Sequence, residues 1–291
     1  MYRNSKLFSR LFTAPALIIY FVFVIIPVFI SIYYSFFRWD GMSEMVFKGF
    51  SNYQYLLFKW KDYWVVTKNT GILIVVGLLV QMPLGLIFAY FLYRGIKGFK
   101  FVRAVTFLPV VIAPITVGVM FGVFFNSDIG PFNMLLEKIG LSVLQTNWMS
   151  DPKTVLGVII YPLTWQYLGI YIIIFLAAMQ GISNDVLEAS IIDGANSFVI
   201  FKKIILPLLW DVTQICIILC VTGGLKAFDQ PLVMTMGGPG VHSTFLALLM
   251  YRYGFYENQI GLASGISVTI LIMALAFSYL FKKYLSKDFE A

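Results

Sequence analysis

The segment LFTAPALIIYFVFVIIPVFISIYYSFF, residues 11–37, contains no charged side chain. About 20 consecutive apolar residues are enough for a helix to cross a bilayer. Arg3, Lys6 and Arg10 precede the segment, as basic residues precede the apolar core of a secretory signal peptide. A signal has a shorter apolar core of about 7–15 residues and a small-residue cleavage site, and neither is present here. We therefore interpret residues 11–37 as a first membrane span that is retained.

Composition extends this interpretation to the whole chain of 291 residues. Hydrophobic residues make up 60% and charged residues 12%, and the mean hydropathy is +0.86. A soluble domain carries about 25% charged residues, so much of this surface must face lipid. Five further apolar segments are long enough to span: 69–93, 104–125, 154–178, 207–228 and 259–281. Kinks are expected at Pro27, Pro83, Pro109, Pro114 and Pro162. The fold class predicted is an all-α polytopic membrane protein with about six transmembrane helices.

Basic residues predict the orientation of these spans. With the N-terminus in the cytoplasm, the cytoplasmic segments are 1–10, 94–103, 179–206 and 282–291. They hold 12 of the 21 basic and five of the 14 acidic residues, so the whole net charge of +7 lies on one side. The positive-inside rule describes this distribution. We expect both termini in the cytoplasm of a multi-pass protein of the cell (inner) membrane, with lipid rather than nucleic acid as a partner.

The spans carry little reactive chemistry. Asp211 and Lys226 are the charged residues of the fifth span, and Lys226 has the spacing to pair with Asp229 on one helix face. Cys216 and Cys220 are interpreted as packing residues. The run from Met236 to Gly240 lacks the Lys-Ser/Thr of a P-loop and predicts an outer turn. We therefore expect no catalytic residues, no metal site and no cofactor bound by this chain.

The segment MQGISNDVLEASIIDGANSFVIFKKIILPLL, residues 179–209, predicts two short helices on the cytoplasmic side. Asp185 and Glu188 have the spacing of a capping box at a helix start. Gly194 can adopt the left-handed conformation that ends a helix. A second start is predicted at Asn196 or Ser197. Such a helix can insert into a groove on a partner protein, and the alternative is an ordinary amphipathic connector between two spans.

This segment resembles the cytoplasmic loop of permease subunits in binding-protein-dependent ABC importers. The family motif is E-A-A, three residues, G, nine residues, I, any residue, L-P. Its positions here are Glu188-Ala189-Ser190, Gly194, Ile204 and Leu206-Pro207, with Ser190 in place of the second alanine. Further similarity to the carbohydrate branch, near its maltose-type and glycerol-phosphate-type members, lies in Asn69-Thr70, Phe107-Leu108-Pro109, Gly237-Gly238-Pro239, Thr244, Tyr251, Phe255 and Gly261-Leu262-Ala263-Ser264.

The resemblance implies a type I importer permease fold and a mechanism in which a cytoplasmic ATPase drives the membrane spans. A coupling helix at about 184–197 would sit in a cleft of a cytoplasmic ATPase and pass its closure to the spans. The residues implied in this contact are Asp185, Glu188, Ala189, Ser190, Asp193, Gly194 and Ala195. The implied partners are a second permease in a heterodimer, two copies of an ABC ATPase that hold ATP and Mg, an extracytoplasmic solute-binding protein and a sugar.

A substrate path is also implied by the resemblance, because maltose-type relatives contact sugar from the spans before and after the motif. The positions here are Trp165, Gln166, Tyr167, Ile170, Cys220, Gly224 and Ala227. Tyr167 and Trp165 would stack on sugar faces and Gln166 would bond hydroxyls. Aromatic residues near span ends are also ordinary interface residues, so a purely structural role stays open.

The domain organisation follows. Residues 1–68 are expected to form an N-terminal span and an outer interfacial loop, 69–281 the permease core, and 282–291 a cytoplasmic tail. The leading function is import of a di- or oligosaccharide. The alternatives are an importer permease for a glycerol-phosphate-type solute, which basic residues in the passage would favour, and a secondary transporter, which would need coupling-ion residues in the spans.

Overall fold

The computed structural model describes residues 5–95 and 98–284. They fall into two compact units. The first is formed by the residues up to Tyr63 together with Leu249–Met273, and the second by Trp64–Leu248 together with the residues from Ala274 onward. The predicted domain boundaries at residues 68 and 281 stay predictions.

The first unit begins with a long apolar helical run. It contains α1 (Ser5–Tyr20), a π-helical turn (Phe21–Ile25), α2 (Ile26–Tyr34), strands β1 (Phe37–Arg38) and β2 (Val46–Phe47), α3 (Ser51–Gln54) and a second π-helical turn (Tyr55–Lys59). The strands are antiparallel, with Phe37 opposite Phe47. A π-helical turn at Arg252–Tyr256 and the first part of the long helix Ile260–Tyr284 complete the unit.

All regular elements in the described part of the second unit are helices, and turns or loops connect them. It begins within α4 (Lys61–Val76), which belongs to this unit from Trp64 onward. A π-helical turn (Gly77–Gln81), α5 (Met82–Tyr93), α6 (Phe99–Val111), α7 (Pro114–Phe124), α8 (Pro131–Lys138) and a 3₁₀ turn (Ser142–Leu144) follow. The remaining elements are α9 (Val155–Gln180), α10 (Asn184–Ile192), α11 (Ser197–Ile200), a π-helical turn (Phe201–Ile205), α12 (Leu206–Leu208), α13 (Trp210–Leu225) and α14 (Asp229–Thr235). The junction with the first unit falls within α15 (Leu246–Tyr251), and α16 is the helix Ile260–Tyr284.

Among the described residues, five helices are long and apolar enough to cross a membrane, and a bent pair makes a sixth candidate. The five are Phe12–Tyr34, Lys61–Tyr93, Val155–Gln180, Trp210–Thr235 and Ile260–Tyr284, and the pair is Phe101–Val111 with Pro114–Phe124. This confirms the prediction of an all-α polytopic protein with about six spans.

The third predicted span, 104–125, is not one kinked helix. Its two halves meet at an angle of 97°. Ile112 and Ala113 between them are extended, with ψ of 136° and 133°. Pro114 causes this break, because a proline disfavours helical backbone in the residue before it and donates no hydrogen bond itself.

The fifth span runs beyond its predicted end at residue 228, as far as Thr235, and it is also interrupted. Helix α13 ends at Leu225 and α14 begins at Asp229. Lys226 and Asp229 therefore do not share one helix face, and the side-chain pairing expected from their spacing is not formed.

Three other prolines are accommodated without a break. In each case the residue before the proline donates its N–H to the carbonyl five residues back: Ile26 to Phe21, Met82 to Gly77 and Leu206 to Phe201. A π-helical turn of this kind lets a helix continue past a residue that lacks an N–H. The kinks predicted at Pro27 and Pro83 thus take the form of π-helical turns, whereas Pro109 and Pro162 lie inside α6 and α9.

Helix α9 occupies the centre of the second unit and packs against α5, α6, α7, α13 and α14. Glycines allow the closest of these approaches. Gly169 of α9 lies against the backbone of α6 at Thr106, and Gly85 of α5 lies against Tyr171. In a bilayer, lipid tails surround apolar side chains as favourably as another helix does. Helices therefore associate mainly through close packing, which small residues at the contact allow.

Candidate functional site

The loop between α9 and α13 begins with a capped helix. The Ser183 hydroxyl accepts a hydrogen bond from the backbone N–H of Asp185 at 3.2 Å and caps α10. The cap is therefore Ser183 rather than Asp185, so the predicted start is two residues late. Asp185 still lies in the first turn, where a carboxylate interacts favourably with the helix dipole.

The end of α10 has the geometry expected from Gly194. This glycine has φ +80°, and its N–H bonds to the carbonyl of Ile191. The N–H of Ala195 reaches back to the carbonyl of Ser190, which completes a Schellman motif. The Asn196 side chain then caps α11 by accepting from the N–H groups of Phe198 and Val199. The predicted pair of short helices with a glycine between them is confirmed.

This loop is tied to the second unit at a few points and exposed elsewhere. The Tyr90 hydroxyl of α5 donates to the Ser197 carbonyl at 3.1 Å, and the Tyr90 ring packs on Phe201 at 4.5 Å between centroids. Of the seven residues predicted to contact an ATPase, Ser190 is buried, Ala195 is half-buried, and Asp185, Glu188, Ala189, Asp193 and Gly194 are exposed.

Large apolar side chains accompany these exposed polar ones. Ile192 is 85% exposed, Phe198 is 69% exposed and Ile191 is 61% exposed. An exposed apolar cluster on a capped, anchored loop is the kind of surface that a partner protein covers.

A cavity of about 340 Å³ lies within the second unit, beside the breaks in the third and fifth spans. Its wall is mostly apolar or glycine. Polar side chains come from Gln81, Thr164, Lys226, Asp229 and Gln230, and aromatic ones from Tyr167, Tyr171 and Phe228. A concave, largely apolar site with a few polar groups is typical of small-molecule sites.

Five of the seven residues predicted for a substrate path line this cavity. They are Tyr167, Ile170, Cys220, Gly224 and Ala227. Trp165 is not brought to it, because its ring packs edge-on against Phe121 at 5.4 Å. Gln166 is fully buried, and its amide is already used in contacts with the protein.

Gln166 bonds across the break in the third span. Its Nε2 donates to the carbonyls of Pro109 at 3.2 Å and Ile112 at 2.8 Å, and its Oε1 accepts from Nε2 of Gln230. Gln230 is fully buried as well, and its Oε1 has no hydrogen-bond partner among the residues that the structure describes.

Several residues that line the cavity have no sequence signal that marks them as lining residues. Lys226 and Asp229 were interpreted as a pair near a span end, and Gln81, Thr164 and Gln230 were not considered. A signal was available for Gln81, because a glutamine in the middle of an apolar segment needs a partner inside the protein. Its Nε2 donates to the Thr164 carbonyl at 2.9 Å.

The glycine-rich run forms a turn, as predicted. Met236, Gly237 and Gly240 all have positive φ. Asn69 holds the loop that follows, because its Nδ2 donates to the carbonyls of Val241, His242 and Thr244 at 3.1–3.2 Å. Asn69 was singled out only by resemblance, and this contact gives it a structural role.

Fold, loop and cavity together define a polytopic helical membrane protein with an internal cavity and an exposed loop between α9 and α13. The family described as "Binding-protein-dependent transport system inner membrane component" matches residues 81–288, and this chain belongs to that family. The match confirms the resemblance drawn from the Glu188 to Pro207 motif. By its description, the family is a membrane component of a transport system.

Individual relatives match over nearly the whole chain. The probable ABC transporter permease protein YurN of Bacillus subtilis is 32% identical over 287 residues, which are 98% of each chain. The multiple sugar-binding transport system permease protein MsmF of Streptococcus mutans is 34% identical over 290 residues, which are 98% of this chain and 97% of MsmF.

A solved structure shares the fold. It is the bacterial alginate ABC transporter in complex with alginate pentasaccharide-bound periplasmic protein. One chain of it superposes with a TM-score of 0.82 and 21% identity, over 98% of this chain and 96% of that one.

Proposed function

We propose that this chain is a transmembrane permease subunit of an ATP-driven ABC importer that moves a sugar of di- or oligosaccharide size. The observation that carries the proposal is the loop between α9 and α13, in which the family motif begins with two short, capped and largely exposed helices. Family membership supports the permease role, and a relative named for multiple sugar-binding transport supports the cargo class.

The working assembly proposed has three kinds of protein partner. A second permease completes the membrane part, and two copies of a cytoplasmic ABC ATPase bind ATP and Mg and perform the hydrolysis. An extracytoplasmic solute-binding protein delivers the sugar. The complex lies in the cytoplasmic membrane with both termini of this chain inside. The positive-inside charge distribution supports that orientation.

The cavity supports a neutral cargo over an anionic one. Lys226 and Asp229 are the two charged residues that line it within the described part of the chain. A passage for a glycerol-phosphate-type solute would be expected to present an excess of positive charge. One charge of each sign, together with hydroxyl, amide and aromatic groups, suits the hydroxyls and apolar faces of a sugar.

The first experiment is to tag the chain, extract it gently from native membranes and identify co-purifying proteins by mass spectrometry. The importer proposal expects a second polytopic permease and a P-loop ATPase. The purified complex, with its binding protein, is then assayed for ATP hydrolysis over a panel of neutral sugars and a glycerol phosphodiester. Recovery of the chain alone, or hydrolysis that responds to no sugar, would contradict the proposal.

A further inference from the structure

The break in the third span leaves backbone carbonyls without helical partners. An unpaired carbonyl in the apolar interior of a membrane protein is costly, so it must be satisfied by a side chain or water. The Gln166 amide of α9 supplies this contact, since its Nε2 reaches the carbonyls of Pro109 and Ile112. Gln166 therefore closes the gap between α6 and α7 from a neighbouring helix.

The orientation of both amides follows from these contacts. The two N–H groups of Gln166 serve the two carbonyls, so its Oε1 must face Gln230, which can respond only by donating from Nε2. The Oε1 of Gln230 is then turned into a buried position with no partner. Turning the Gln230 amide over would remove the hydrogen bond, because its Oε1 would then face the Oε1 of Gln166.

Gln230 lies in the first turn of α14, directly after the break in the fifth span. Helix α14 packs closely on α7, where a Cβ at Gly118 would lie 3.2 Å from Cα of Gln230. The start of α7 at Pro114 and the residues around Asp229 both line the cavity. Gln166 of α9 thus bridges the two broken spans beside the cavity wall, through its bonds to the carbonyls of Pro109 and Ile112 on one side and to Gln230 on the other.

We infer that Gln166 and Gln230 are positioning residues that form a latch, which holds the two broken spans in the arrangement described and is released when the cavity opens during transport. The inference rests on the proposed function. A buried hydrogen bond stabilises this arrangement, whereas the unpartnered Gln230 oxygen destabilises it. The two effects oppose each other, so the net stabilisation is smaller than that of a fully paired amide contact.

The native cysteines provide the readout. Both cysteines belong to the core formed with α5 and α9, but Cys220, which is 6% exposed, also lines the cavity, whereas Cys216 is fully buried and does not. Opening of the cavity exposes Cys220 without Cys216, and general loosening exposes both. Labelling of the two sites by N-ethylmaleimide, quantified on peptides of this chain by mass spectrometry, separates these events.

The test compares Gln230→Met and Gln230→Asn with the wild-type full complex in membranes. Either variant removes the bond to Gln166, so we expect Cys220 to be labelled roughly two- to tenfold faster at an unchanged Cys216 rate. Basal ATP hydrolysis without binding protein should rise in the same proportion. Gln214→Met is the matched control, because Gln214 lies on α13, away from both breaks, and makes only an exposed contact with Asp211.

An unchanged Cys220 rate in both variants, or a parallel rise at Cys216, would overturn the latch. Failure of the proposed function gives a different result. The wild-type complex would then show no sugar-dependent ATP hydrolysis, while the labelling of Cys220 would still report whether the glutamine contact holds the cavity.

Discussion

Gly85 of α5 packs directly against Tyr171 of α9, so that a Cβ at Gly85 would lie 2.6 Å from the Cβ of Tyr171. No ordinary contact between two such carbons is this short. The position therefore requires glycine, and it sets how closely α5 approaches the central helix of the second unit.

Gly85→Ala is expected to push these helices apart and lower the stability of the folded chain by about 1–3 kcal/mol. Thermal unfolding in detergent, followed by fluorescence or aggregation, measures the change. Gly157→Ala is the control, since a Cβ there meets no other residue within 4 Å. It should be neutral or slightly stabilising, because alanine favours helix over glycine. Equal loss in both variants would show that helix packing at Gly85 is not the cause.

Gly194→Ala should weaken coupling between ATP hydrolysis and transport. An alanine at φ +80° costs about 1–2 kcal/mol, so the turn between α10 and α11 becomes less populated. Gly194→Pro cannot adopt that φ and should abolish transport while the chain still inserts. The measurement is the number of sugar molecules transported per ATP hydrolysed in reconstituted vesicles.

Gly181→Ala is the matched control for this prediction, because Gly181 flanks the same loop but has an ordinary φ of −82°. It should transport as the wild type does. Normal transport by Gly194→Pro would contradict a coupling role for the loop.

Ser190→Ala should leave transport within about twofold of wild type. The Ser190 hydroxyl donates only to the Leu187 carbonyl of its own helix, at 2.6 Å, and such local bonds contribute little. Alanine is also the residue that the family motif has at this position. Glu188→Ala, in contrast, alters an exposed residue and should reduce the ATPase that co-purifies with the tagged chain. If Ser190→Ala released the ATPase instead, the polar group at 190 would be part of the contact.

Asp229→Asn and Lys226→Met should change sugar selectivity without changing assembly. Both side chains line the cavity, so removal of one charge alters the field that the cargo meets. We expect the apparent KM for a neutral sugar to rise several-fold, and uptake of an anionic sugar to improve in Asp229→Asn. Asp211→Asn, an exposed position on the same span, is the control. Identical KM values in all three variants would place the cargo outside this cavity.

Local sequence signals were sufficient to predict the spans and the geometry of the loop between α9 and α13. Apolar length identified the spans, and Gly194 and Asn196 predicted the turn and cap of the loop, because these features depend on neighbours within a few residues. The break at Pro114 was predicted only as a kink. A proline indicates that a helix is disturbed, but the 97° angle depends on what packs against each half.

Apolar length, the distribution of charge and the capping residues were sufficient to identify a helical membrane protein of about six spans with a motif-bearing loop. They do not predict which residues line the cavity. Gln166 lies beside Tyr167 in the chain, yet Tyr167 lines the cavity while Gln166 bonds to carbonyls of Pro109 and Ile112 and to Gln230, more than 50 residues away in either direction. Hydropathy and capping act along one segment, whereas a cavity wall is made by the faces that distant segments turn toward each other.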